Sequence, residues 1–148
     1  MNDAMKNLEN KIYEMRDCGK VTFKIENRTD TNNESVINLI DTFVSKLGFT
    51  GLGGSWIFIN QSNAETLCQR ILYKDLAYGH PMMNPEFAQE MAVEFINFFN
   101  PRSQFVTNGK FYEEVNCRWI PITNATFDTG IICVDEKHIG ILWVEDED

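Results

Sequence analysis

The sequence predicts an α+β fold: an antiparallel sheet of about five to six strands, mostly C-terminal, with about four helices packed mainly on one face. Two observations lead to this. Apolar residues recur at spacings of three and four through the first hundred positions, and from Gln104 onward they alternate or form short blocks between turn residues. Helices first and strands later, without regular alternation, is the order expected of an antiparallel sheet with segregated helices.

Each element has its own signal. Met5, Leu8, Ile12 and Met15 mark an amphipathic helix over roughly residues 3–17, ended by Cys18 and Gly19. Val21, Phe23 and Ile25 alternate with polar neighbours, giving a half-buried strand. Residues 27–33 are polar and turn-rich. Val36, Ile37, Ile40, Phe43, Val44 and Leu47 form a second helical stripe, closed by Gly48. After Gly51-Leu52-Gly53-Gly54, Trp56 to Ile59 reads as a short buried strand. Ser62 or Asn63 caps a third helix carrying Ala64, Leu67, Cys68, Ile71 and Leu72. Asn84-Pro85-Glu86 opens a fourth: a capping residue, proline in the first turn, then an acid at the positive dipole end. That helix runs to about Phe99, before Pro101.

The expected later strands are Gln104–Thr107, Phe111–Val115, Arg118–Thr123, Gly130–Val134 and Ile139–Val144. Pro121 places the third of these at an edge or a bulge. Asp135 to His138 is a hairpin turn. Ile139, Ile141 and Trp143 point one way and Leu142 and Val144 the other, so this strand is central or covered on both sides.

With 148 residues, of which 43% are hydrophobic, residues 1–148 read as a single domain that needs no disulfide or metal. No apolar run approaches the ~20 residues that span a bilayer. The N-terminus lacks the basic-then-apolar order of a signal peptide. The four cysteines contain no C-x-x-C pair, which suits reduced thiols. A cytoplasmic location is therefore expected: the host's, for a phage-encoded chain.

The net charge is -9 and it is uneven. Residues 1–46 hold eight acids and seven bases, whereas residues 47–148 hold fourteen acids and six bases. Such a field repels nucleic acid and anionic membranes and attracts basic surfaces. The most polarised point is the terminus, where an apolar strand runs into Glu145, Asp146, Glu147 and Asp148. With Asp135 and Glu136 at the other end of the same hairpin, these are the candidate partner-binding residues. For the tail by itself, solubilisation is the bland alternative.

Other candidate sites are weaker. Gly51 to Gly54 leads into a strand with no G-K-[S/T] behind it, so it reads as a turn and not a phosphate loop. Asp30, Asn32, Glu34 and Asp41 imitate a calcium loop, but Ser35 replaces the required glycine and Asp41 the bidentate glutamate. Glu86 and Glu90 are a solvated helix pair. A Cys117–His80 nucleophile pair has no local signature, and nothing has zinc-ligand spacing. The sequence thus points to no catalytic residue, metal ligand or cofactor. Tyr78, His80, Met82 and Met83 form an aromatic-methionine loop that either walls a ligand pocket or plugs the core.

The leading expectation is a non-enzymatic acidic interaction protein. It would be an inhibitor or antidote that occludes a basic, nucleic-acid-handling partner such as a nuclease, by analogy with phage anti-defence and toxin-immunity proteins. The alternative is a small-molecule binder, with a nucleotide as one candidate ligand and Trp56, Trp119 and Trp143 as wall. A small enzyme of unassigned class stands third.

Overall fold

The computed structural model describes residues 2–29, 34–113 and 118–148. In chain order it has α1 (Asp3–Met15), β1 (Lys20–Asn27), α2 (Val36–Lys46), a 3-10 turn (Gly53–Ser55) and β2 (Ile57–Ile59). Then come α3 (Gln61–Tyr73), α4 (Pro85–Asn97), β3 (Gln104–Thr107), β4 (Phe127–Val134) and β5 (His138–Asp146). The five strands make one antiparallel sheet in the order β1-β5-β4-β3-β2.

The chain starts on one edge of this sheet and crosses to the other through α2. Helices α3 and α4 follow on the opposite face, and β3, β4 and β5 meander back to β1. Three helices, α1, α3 and α4, cover Phe23, Ile25, Phe105, Ile131, Cys133, Leu142 and Val144. On the reverse face α2 sets Leu39, Ile40, Phe43 and Val44 against Val106, Ile132, Ile141 and Trp143. The fold is therefore α+β, with helices mainly on one face. Strand β5 lies between β1 and β4 with both faces covered, which is why its sequence is apolar on both.

Boundaries differ from expectation for physical reasons. Helix α1 stops at Met15 because Arg16 turns extended, and its backbone N–H still caps Ile12 O. Asn60, not Ser62 or Asn63, caps α3: its side chain accepts from Asn63 N at 2.8 Å. The expected strand Arg118–Thr123 makes only an isolated bridge, Gly109 to Trp119. Ile120 N still donates to Asn108 O at 2.9 Å, but farther along Ile122 N and Thr123 N donate to the Asp128 carboxylate at 3.2 and 3.3 Å. Residues 111–113 form a turn, and the rest of the expected strand Phe111–Val115 lies outside the described residues.

The largest difference is at the end of β5. The strand continues through Glu145 and Asp146, which pair with Lys20 and Phe127 on the flanking strands. Acids have low strand propensity, so the two flanking ladders and a distant base must compensate. No helix among the described residues is long and apolar enough to cross a membrane.

Candidate functional site

The acidic terminus is built around a buried arginine. Strand alternation turns Asp146 toward the three-helix face, where Arg16 descends from the end of α1. The guanidinium is bidentate, with Nη1 to Oδ1 at 3.0 Å and Nη2 to Oδ2 at 2.7 Å. Exposure of the two side chains is 0% and 3%. Arg16 also donates to Ile71 O and Cys18 O at 2.6 and 2.8 Å, and Leu76 N donates to Asp146 Oδ2 at 2.9 Å. A buried pair survives only when its remaining hydrogen bonds are satisfied, as here. The pair thus ties α1, the end of α3 and β5 together.

Gly19 makes room for this knot. Its φ is 69°, and a Cβ there would lie 2.0 Å from Asp146 Oδ1. Any other residue would meet both the left-handed backbone and the carboxylate. Around the pair, Glu145 is nearly buried and lies 3.9 Å from Lys20 Nζ, too far for a hydrogen bond. Glu147 and Asp148 are exposed. Glu147 accepts from Thr126 N at 3.2 Å and from Thr126 Oγ1.

The Tyr78 loop lies at the same end, held by Asp75. This buried carboxylate accepts from Tyr78 N at 2.8 Å and His80 N at 2.6 Å. Burial pushes its carboxyl up, but the N–H groups of Tyr78, His80 and Ala77, together with His80, outweigh that and hold it below the ordinary range. Tyr78 is 65% exposed and lies 6.0 Å from the His80 ring. Met83 packs on the three-helix core, and Met82 Sδ is 3.1 Å from Cys18 Sγ. The four residues therefore do not share one role: Tyr78 and His80 face solvent while Met83 plugs.

Asp135 and Glu136 are at the opposite end of the β4–β5 hairpin. Asp135 is buried and caps the turn, accepting from Lys137 N at 2.8 Å, His138 N at 2.6 Å and Asn100 N at 3.1 Å. Burial raises its carboxyl; the N–H groups of Asn100, Lys137 and His138 and the His138 ring more than reverse this. Arg28 and Arg102 line the adjoining hollow with Glu136, so this end carries both signs. The six acids therefore form two separate groups, and only Glu136, Glu147 and Asp148 are exposed.

Comparison with protein-family models, curated proteins and solved structures finds no match to this chain.

Other candidates fall into place on geometry. The glycine run receives an internal anion. Asp41 Oδ1 accepts from Trp56 Nε1 at 2.7 Å, and both its oxygens accept from Gly53 N at 3.3 and 3.2 Å. A Cβ on Gly51 would lie 2.6 Å from that carboxylate. Asp41 is thus committed within the fold. Asp30 and Asn32 of the calcium-like spacing lie outside the described residues, as does Cys117. Among the described residues, no group of three acids, histidines or cysteines is placed to hold a metal. Cys68 and Cys133 are fully buried, and burial pushes both thiols up. Glu86 and Glu90 are exposed on α4.

The three tryptophans separate. Trp56 and Trp143 meet edge to face at 6.3 Å inside the α2 core, with Trp143 Nε1 donating to Asp128. Trp119 lies with the three-helix cluster, between Phe111 at 5.1 Å and Phe127 at 5.6 Å. It is half-buried and forms the shared wall of three adjoining hollows of about 570, 480 and 460 Å3. The largest is lined also by Arg70, Lys74, Asp75 and Leu76.

Sequence reading missed Arg16 and Asp75, and it grouped Trp119 with Trp56 and Trp143, whereas the fold sets Trp119 beside Phe111 and Phe127. Asp75 had a signal, since an aspartate three residues before Tyr78-Gly79 is a turn-capping arrangement. Arg16 had none, because its partner is 130 residues away.

Proposed function

We propose that this is a non-enzymatic interaction protein that binds a basic protein surface through its acidic C-terminal end, acting as an inhibitor or antidote of a nucleic-acid-handling partner. The observation that supports it most is the buried Arg16–Asp146 pair. It fixes the end of β5, so Glu147 and Asp148 start from a rigid point at the end of the molecule that also presents Tyr78. Rigid placement lowers the ordering cost of binding, and unlike charge speeds encounter. An exposed tyrosine at the same end as exposed acids offers an apolar anchor in a charged surrounding.

The test uses the Glu147→Gln, Asp148→Asn double variant, which spares Asp146. At low salt the immobilised wild-type protein should retain a basic protein from lysate of the cells that express the gene. The double variant should retain several-fold less. Equal retention by both, or no basic protein on either, contradicts the proposal.

A second reading, small-molecule binding, is favoured by one observation: a half-buried tryptophan, Trp119, stands at a cavity bordered by Arg70 and Lys74.

A further inference from the structure

We infer that the Trp119 hollows form a binding site for a planar aromatic anion of mononucleotide size, with the ring held by the aromatic wall and the phosphate by the bases around it. This rests on the small-molecule reading and names its ligand class.

Charge placement carries the argument. Residues 47–148 contain only six bases against fourteen acids. Four of those six, Arg70, Lys74, Lys110 and Arg118, line the hollows that share Trp119, and the acids among the described lining residues are Asp75 and Glu113. A chain that repels anions overall therefore gathers most of its scarce later bases at one place. Asp75 opposes an anion weakly, because its oxygens are turned to the N–H groups of Tyr78 and His80. Arg70 is itself held in place by a hydrogen bond to Phe111 O.

Shape agrees. Small-ligand sites occupy roughly 300–1,000 Å3 and combine an apolar wall with a few polar groups. The largest hollow, about 570 Å3, has Phe111, Trp119 and Phe127 on its wall and Arg70 and Lys74 beside them. A nucleobase stacks on aromatic rings with little regard to sequence, and a phosphate takes charge-assisted bonds from arginine and lysine. Neither half of such a ligand is served by the wall or the bases alone.

The experiment is a titration of the intact protein with adenosine 5′-monophosphate, followed by tryptophan fluorescence and by the Trp119 indole N–H resonance, assigned with Trp119→Phe. Adenosine and ribose 5-phosphate are the parallel arms. The monophosphate should shift the Trp119 resonance saturably, and each fragment should bind at least about tenfold more weakly. Trp119→Ala should weaken binding about tenfold or more. Lys74→Glu should also weaken it without moving the unfolding midpoint, since Lys74 is exposed; this variant decides the matter if Trp119→Ala does not fold. Binding unaffected by Lys74→Glu, or equal binding of adenosine, overturns the anion site. If other metabolites shift Trp119 and the nucleotide does not, this ligand class is wrong and the small-molecule reading stands. If nothing shifts it, both fall.

Discussion

The two ends of the β4–β5 hairpin look alike in sequence and are built differently. Each has an aspartate beside a glutamate, Asp135-Glu136 at the turn and Glu145-Asp146 at the open end. Asp135 is satisfied mostly by its own neighbourhood, the N–H groups of Lys137 and His138, with Asn100 added. Asp146 is satisfied by the guanidinium of Arg16 and by Leu76 N, both far away in the chain. A carboxylate bound by a local turn organises the turn. One bound by a distant arginine organises the tertiary fold, and leaves a buried charge behind when its partner is removed.

That difference should be largest in Arg16→Ala. The stranded Asp146 carboxylate predicts a loss of about 3–5 kcal/mol, read from the urea unfolding midpoint. Arg16→Met with Asp146→Leu removes both charges and should recover much of that loss; a double variant as unstable as Arg16→Ala would show that the pair is not the cause. Asp135→Ala should cost less, about 1–2 kcal/mol, because its N–H partners lie near the surface and water can replace it.

Acid should sharpen the comparison. The Asp75 and Asp135 carboxyls lie below their ordinary value of ~3.9, so the unfolded chain takes up protons first as pH falls. The stability they supply is complete above that range and is lost as pH drops through the lower, folded-state values. Urea midpoints should therefore hold steady from neutral pH to about 5 and fall below about 4. Asp135→Asn should flatten that fall. The smallest effect on stability belongs to Glu147→Gln with Asp148→Asn, within about 0.5 kcal/mol, since both side chains are exposed.

The architecture was legible where residues follow a period. The stripe from Met5 to Ile12 gave α1, and the two apolar faces of Ile139 to Val144 marked a strand covered on both sides. Arg118 to Thr123 misled because its apolar residues serve an irregular segment held by the buried Asp128, an interaction with no periodic trace. The terminus misled for a related reason. Four carboxylates in a row read as a tail, and only the folded chain brings Arg16 against the second of them. The Trp119 group was legible as single aromatics, but the bases around it come from α3, the segment after it and both sides of residues 110–118, so their gathering is purely tertiary.

The central claim is that the acidic terminus is the anchored end of a core strand. Amide hydrogen exchange tests it most directly. Glu145 and Asp146 should be protected at a level close to that of Leu142 and Val144, with Asp148 exchanging fast, and Arg16→Ala should erase the protection at Asp146 first. Exchange at Glu145 and Asp146 as fast as at Asp148 in the wild-type protein would contradict the account.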